Sequence, residues 1–392
     1  RPQGRGVIIE QKPEVRKAGG VFYTPRYIVD YIIEQTVGCQ LGTVAEARTF
    51  SQFSRSTCNL RFLDPACGSG SFLIRTYERV CEHWQRRLTS HPTERKKELC
   101  WVDPVTHDVH LTVDLKRRIL CDNIYGVDVD AQAVEVTQLS LYLKMLENES
   151  RTTLQRQREL FGSNVALLPA LEGNIKCGNS LIASDFSANP DDLVRVNAFD
   201  WDASFAEVMK AGGFDAVVGN PPWLYSAGRE AIAYYNEHYA LSEYQTDYYT
   251  YFIERGLGLT RVRALCSFVV SDSWLKAEHF SQLRNHLLTR HRIMRLATFA
   301  YPPFEGATIE SSVLVLERNG NPTMIPMDLF STPTICAKVN DIEPFAAAKR
   351  GIIDPRQSVA AETLTAKIER HSSRLEQFVQ INRGIHAYRT DG

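Results

Sequence analysis

The sequence of 392 residues predicts an α/β fold: a mixed, mostly parallel sheet with helices on both faces. Two observations predict it. Short apolar runs alternate with longer runs of helical periodicity, as a chain of βαβ units requires. The polar residues suited to ligand chemistry fall just after the carboxyl ends of the first, second and fourth apolar runs, where doubly wound sheets bind ligands.

The elements follow in order. Residues 1–18 are polar and aperiodic and read as a tail or linker. A helix is expected from Pro25, with Thr24 as N-cap and proline in the first helical position. Its apolar residues Ile28, Val29, Ile32 and Ile33 recur at helical spacing. Leu60 to Asp64 reads as a short strand, broken by the glycines of CGSGS, and Phe72 to Val80 opens a helix. A second strand, Ile124 to Val127, ends in Asp128, and a helix runs from about Gln132 to Leu146. The third strand is Asn174 to Cys177, and the fourth, Phe214 to Val218, ends in Gly219-Asn220. A helix over 245–259 leads to a fifth strand, Leu265 to Val270. Ile293 to Phe299 and Ser312 to Leu316 bring the expected number to seven. Residues 82–120 are charged and helix-prone and read as a helical insertion. The main domain is placed at 19–330. From about 321 the prolines 322, 326, 333, 344 and 355 break the pattern, so 331–392 is expected to be a connector with an amphipathic helix over 362–379.

Composition is that of an ordinary globular protein, 44% hydrophobic and 23% charged. The length accommodates one large α/β domain with an appendage. The nine cysteines form no C-x-x-C pair and no zinc-spaced cluster with histidine, which predicts reduced core thiols, an intracellular setting and no metal. No apolar run approaches the roughly 20 residues of a membrane helix, and no membrane partner is expected. The chain begins at Arg1, which points to a piece of a longer protein. The formal net charge of −1 is low for a protein that grips duplex DNA unaided. Basic residues cluster at Arg86, Arg87, Arg95, Lys96 and Lys97, at Lys116–Arg118, and at Arg284, Arg290, Arg292 and Arg295. They read either as solvated helix faces, which each cluster alone favours, or as one side of a nucleic-acid cleft.

FLDPACGSGSFL at 62–73 is a strand, a glycine-rich turn and a helix start. Gly68 and Gly70 let backbone approach a ligand where a Cβ would clash. The spacing is not the G-x-G-x-x-G of a pyrophosphate loop. An acid, Asp64, precedes the glycines; it opposes a pyrophosphate and suits an ammonium. Asp128, at the next strand tip, can accept both hydroxyls of a ribose. The pattern asks for a nucleoside carrying an amino acid and no phosphate, which describes S-adenosylmethionine. A structural strand-turn-helix with capping acids is the plainer alternative.

Asn220-Pro221-Pro222-Trp223 follows a buried strand. The two prolines fix the backbone and remove two donors. What remains is acceptor-rich, the Asn220 amide oxygen and the Pro221 carbonyl, beside an aromatic ring. Two acceptors and a stacking surface suit an exocyclic NH₂ on a planar group. Accepting both hydrogens turns the nitrogen lone pair toward a methyl sulfonium, and the developing positive charge is eased by the acceptors and the face of Trp223. A base in a duplex would have to flip out to reach such a pocket. Alone, the tetrad reads equally well as a tight Pro-Pro turn with a buried tryptophan.

Taken together, these motifs resemble the γ-class amino-methyltransferases, the N6-adenine DNA methylases, over residues 19 to about 320. GGVFYTPRYIVDYI (19–32) is similar to the family's N-terminal cofactor motif, and its place before the glycine loop defines the γ order. The resemblance implies a Rossmann-like class I methyltransferase fold with a seven-stranded sheet and S-adenosylmethionine as cofactor. It places Tyr23, Thr24, Asp64, Ala66, Gly68, Ser69 and Gly70 at the methionine end of the cofactor. It places Asp128 on the ribose, and Val129 and, from KCGNSLI (176–182), Asn179 against the adenine. DAVVGNPPW (215–223) becomes the catalytic motif. In FEGATIESSVLVL (304–316), Phe304 becomes the aromatic that, with Trp223, stacks on a flipped adenine of double-stranded DNA. Trp223 stands where the family often has Tyr or Phe, and Asn179 replaces an acid found in many relatives. The insertion and the C-terminus are most similar to the long methyltransferases of type IIG restriction–modification and phage-defence systems. A target-recognition domain would follow there, further defence-system subunits would be partners, and the setting would be a prokaryotic cytoplasm at the nucleoid. Cytosine N4 and protein glutamine offer the same NH₂, and a non-catalytic DNA-binding subunit is the alternative of another class.

Overall fold

The computed structural model describes residues 23–147, 149, 168–223, 228–243, 246–304, 309–343, 352 and 353, together with two two-residue strands at 2–3 and 6–7. Residues 1–353 form one compact unit; 354–392 form another and lie outside the described residues, as does the helix expected at 362–379.

The core is one sheet. Its strands are β1 (Phe62–Asp64), β2 (Ile124–Asp128), β3 (Ile175–Cys177), β4 (Phe214–Gly219), β5 (Thr260–Ser271), β6 (Arg292–Phe299), β7 (Ser311–Glu317), β8 (Ile325–Thr332) and β9 (Ile335–Ile342). In space they run β9-β8-β6-β7-β5-β4-β1-β2-β3. From β5 to β3 every pairing is parallel: Val217 opposite Cys266, Phe62 opposite Ala216 and Ile124, Gly126 opposite Ile175. β7 runs antiparallel to both neighbours, with Val313 opposite Val269 and Ala297. Parallel strands covered on both faces must be apolar throughout, and all six residues of β4 are buried. The chain moves outward from β1 to β2 to β3, then returns to place β4 on the other side of β1. That reversal opens a crevice beyond the carboxyl ends of β1 and β4, where Asp64 and Asn220 stand.

The longer helices around the sheet are α1 (Arg26–Ile33), α2 (Ser71–Ser90), α3 (Val113–Asn123), α4 (Ala131–Met145), α5 (Arg229–His238) and α6 (Tyr248–Leu259). α1 buries the expected stripe Ile28, Val29, Ile32 and Ile33. α4 is capped by Asp130, whose side chain accepts from the Gln132 amide. Among the described residues no helix is long and apolar enough to cross a membrane.

Two expectations are corrected. The sheet has nine strands, not seven: β8 and β9 extend it through residues read as proline-broken connector. Pro326 is tolerated because the β8–β9 register shifts between Ile325 and Met327, and a bulge frees the amide that proline lacks. Pro333 falls in the turn between the strands. The insertion at 82–120 is only partly helical. α2 ends at Ser90, and an antiparallel hairpin, Cys100–Val102 with Val109–Leu111, precedes α3. Three-residue strands are too short to show a period of two.

Candidate functional site

The glycine loop is held by its neighbours on the sheet. The Cys67 amide donates to Val127 O at 3.0 Å, and the Gly70 amide returns to Cys67 O at 2.8 Å. Both glycines have positive φ, +52° at Gly68 and +84° at Gly70, which other residues adopt only at a cost. Thr137 on α4 donates its hydroxyl to Gly68 O at 2.7 Å, and a Cβ on Gly70 would lie 2.9 Å from Thr137 Cγ2. Ser69 is exposed at the crest of the loop.

A cavity of about 460 Å³ opens over this loop. Its walls include Ala66 and Gly68 from the loop, Asp128 and Val129 from the tip of β2, Asn179 beyond β3, and Asn220 and Pro222 beyond β4. Asp128 ties two of these walls together: Oδ2 accepts from the Gly68 amide at 2.8 Å and Oδ1 from the Asp130 amide at 3.0 Å. Burial raises the Asp128 carboxyl above the usual carboxylate range, against the lowering effect of those two amides. Val129 is 58% exposed at the rim.

Asp64 lies beneath the loop, 1% exposed, and is not among the wall residues. Its Oδ1 accepts from the Ala66 amide at 3.0 Å, and a Cβ on Gly219 would stand 2.7 Å from that oxygen. Burial pushes its pKa up to about 8, and the charge of Asp128 adds to the shift. The direct ammonium contact expected of Asp64 is not what the fold displays; the carboxyl caps its own turn. Asn179 lines the cavity, but its amide is engaged in its own loop. Nδ2 donates to Val196 O at 3.2 Å and Oδ1 accepts from the Leu181 amide at 3.0 Å.

Asn220 Nδ2 donates to Thr24 Oγ1 at 3.1 Å, across 196 residues of sequence. This corrects the capping role expected of Thr24: Pro25 occupies the N-cap position and no side chain caps α1. Thr24 is 3% exposed because it packs into the crevice. With the exposed Tyr23 it borders a second, smaller cavity of about 130 Å³, between α1 and α2. Trp223 and Phe304 are buried. They meet edge to face, centroids 5.2 Å apart, so the stacking faces expected of them are closed. Pro221 is buried between Asn220 and Pro222.

Sequence reasoning missed Tyr248 and Phe252, one turn apart on α6, which close the cavity beside Asn220 and Pro222. Their i, i+4 spacing in DYYTYF was the available signal. It also missed Ser180, whose hydroxyl donates to Pro65 O at 2.5 Å and joins the two loops.

Two family models match this chain: N-6 DNA Methylase over residues 7–159, and Eco57I restriction-modification methylase over 122–304. The first spans the glycine loop and Asp128; the second spans Asn179, the NPPW tetrad and Phe304. Together the two matches run from residue 7 to residue 304, and both models are of DNA methylases.

The chain is 27% identical over 307 residues to the type II restriction enzyme and methyltransferase RM.Eco57I of Escherichia coli; the match covers 77% of this chain and 28% of that protein. It is 25% identical over 230 residues to the adenine-specific methyltransferase PglX of Streptomyces coelicolor, covering 57% and 16%. The chain thus matches less than a third of either relative's length. Among solved structures it shares the fold of the type IIL restriction-modification enzyme MmeI in complex with DNA. The TM-score is 0.57 at 17% identity, over 86% of this chain and 42% of that one.

S-adenosylmethionine is the methyl donor of methylases of this kind, and the cavity fits it. The volume falls within the range of small-molecule sites, about 300–1,000 Å³. The carboxyl of Asp128 on the wall suits hydroxyls, and two neighbouring acids suit a cationic ligand better than an anionic one.

The basic clusters are divided: Arg86, Lys96, Lys97, Arg118 and Arg290 are exposed, while others are held by partners. Arg87 pairs with Glu94 at 2.6 Å, Lys116 with Glu149 at 2.8 Å, Arg117 with Asp114 at 2.8 Å and Arg295 with Asp328 at 3.0 Å. Arg284 is buried and donates to the carbonyls of Trp274 and Ala277.

Proposed function

We propose that this chain transfers a methyl group from S-adenosylmethionine to N6 of adenine in double-stranded DNA. It would be the methylating part of a restriction–modification or phage-defence protein acting at the nucleoid. The observation that carries the reading is that Asn220 and Pro222 share one cavity with Gly68 and Asp128. A group held by the glycine loop and a group held by the tetrad would meet there.

Bound S-adenosylmethionine supplies an electrophilic methyl group on a cationic sulfur. Asp128 would receive its ribose hydroxyls. The backbone of Ala66, Gly68, Ser69 and Gly70 would receive the methionine end, with Tyr23 and Thr24 beside it. Val129 and Asn179 flank the place for its adenine. Asp64, beneath the loop, acts through its field. The Asn220 amide oxygen and the Pro221 carbonyl accept the two hydrogens of the substrate amine. That draws the nitrogen lone pair out of conjugation and toward the methyl group, and the same dipoles stabilise the positive charge that grows on nitrogen. The prolines hold the Pro221 carbonyl in place before the substrate arrives. The adenine must leave the duplex to reach them, and Trp223 and Phe304 receive it once they part.

The test is methyl transfer from labelled cofactor, offered DNA, RNA and protein separately. Label recovered as N6-methyladenine in DNA is the expected result. Label found only in protein, as methylated glutamine, overturns the proposal.

A further inference from the structure

We propose that Thr24 is a positioning residue for Asn220: its hydroxyl sets the plane of the catalytic amide so that the amide oxygen, not the NH₂, faces the substrate amine. The inference rests on the methyl-transfer reading and adds to it a part that no cofactor contact explains.

The terminal torsion of an asparagine is soft and nearly two-fold. Its two ends are of similar shape and opposite hydrogen-bonding sense. Presented the wrong way, Asn220 would set a donor against a donor at the substrate nitrogen, losing an acceptor and adding a repulsion. The tetrad itself does not settle the choice, because the two prolines fix the backbone and leave the side-chain torsion free. What settles it is a partner from elsewhere in the chain. Asn220 Nδ2 donates to Thr24 Oγ1 at 3.1 Å, and this bond turns the NH₂ end of the amide toward Thr24 and the oxygen end the opposite way.

Thr24 is suited to hold that contact. It is 3% exposed, so bulk water does not compete for its oxygen. It directly precedes Pro25 and α1, whose apolar face Ile28, Val29, Ile32 and Ile33 is buried in the core. The hydroxyl is therefore fixed to the body of the domain and not to the catalytic loop. It also borders the smaller cavity with Tyr23, Ser71 and Arg75. The N-terminal segment thus does more than border a ligand site: it reaches the catalytic side chain.

The experiment compares Thr24→Val, which keeps the shape and removes the oxygen, with Thr24→Ser, which keeps the oxygen. Single-turnover methyl transfer to DNA, the dissociation constant for S-adenosylmethionine and the thermal midpoint are measured for each. Thr24→Val is expected to slow transfer at saturating cofactor about tenfold or more, one hydrogen bond's worth, which separates the positioning role from any loss of cofactor affinity. Thr24→Ser is expected to restore most of the rate. The midpoint shift of Thr24→Val with Asn220→Ala is expected to be smaller than the sum of the two single shifts, since both remove one contact. Thr24→Val turning over at the wild-type rate overturns the positioning role, as does a variant that loses only cofactor affinity or midpoint shifts that simply add. A wild-type protein that binds cofactor and methylates nothing overturns the underlying reading instead, and the midpoint cycle still reports whether the contact exists.

Discussion

The indole of Trp223 and the ring of Phe304 stand at 87° with centroids 5.2 Å apart, the edge of one against the face of the other. Trp223 Nε1 also donates to Val269 O at 3.3 Å, which anchors the indole to β5. An edge-to-face pair of this kind contributes about 1 kcal/mol beyond the area it buries. A planar base received between these rings has to displace one of them, and the anchored indole makes Phe304 the ring that moves. Phe304→Leu keeps the apolar volume and removes the stacking face. It is expected to lower stability by less than about 1.5 kcal/mol while weakening capture of a flipped base. The measurement is 2-aminopurine fluorescence in duplex DNA on binding. A signal equal to that of the wild type would remove Phe304 from the substrate site.

Asn220 and Asp128 share a cavity but are expected to fail differently. Asn220→Ala removes an acceptor that matters most as charge develops, so transfer should fall about 100-fold or more with cofactor affinity nearly unchanged. Asp128→Ala removes the acceptor for the Gly68 and Asp130 amides along with the proposed ribose contact. Cofactor affinity should fall first, by about tenfold or more. Calorimetry and single-turnover kinetics separate the two effects; the opposite pattern would exchange the assigned roles.

Gly70 and Thr137 make the loop's geometry testable. Gly70 holds φ at +84°, and a Cβ there would press to 2.9 Å on Thr137 Cγ2, whose hydroxyl bonds Gly68 O. Gly70→Ala is expected to cost about 1–3 kcal/mol in urea unfolding and to weaken cofactor binding. Thr137→Ser removes the crowding methyl and keeps the hydroxyl, so it should recover part of the loss. No recovery in the double variant would locate the cost in backbone strain alone.

Much of this was legible in the sequence because it rests on local patterns. The strands that carry Asp64, Asp128 and Asn220 are apolar runs ending in polar residues, and the glycines of the loop proved to need positive φ. What was not legible depends on distance. Thr24 looks like a helix cap beside Pro25, and only folding brings it to a residue 196 positions away. Asp64 and Asn179 belong to recognisable motifs, yet a motif does not say whether a side chain faces the cavity or caps its own turn. Strands β8 and β9 were hidden because a proline in a bulge reads, in sequence, like a proline in a loop.

Asp64 makes the stability of the cofactor-free chain depend on pH in a direction opposite to that of most carboxylates. Burial holds its folded-state pKa at about 8, against an ordinary 3.8. Between those values the folded chain keeps a proton that the unfolded chain has released. Stability from this group is therefore fully present below about pH 4 and declines as pH rises toward 8, by at most about 1.4 kcal/mol per pH unit for one proton. Asp128, raised in the same direction by burial, adds to the slope. Asp64→Asn keeps the acceptor for the Ala66 amide and removes the titration, so its stability should vary less with pH and exceed that of the wild type at pH 8. A cationic ligand over the loop favours the ionised carboxyl, so cofactor affinity in the wild type should rise with pH up to about 8 and rise less in Asp64→Asn. Urea unfolding at several pH values between 5 and 8, with calorimetry at the same points, checks both slopes. Parallel slopes in wild type and variant would mean that Asp64 is already ionised in the folded chain.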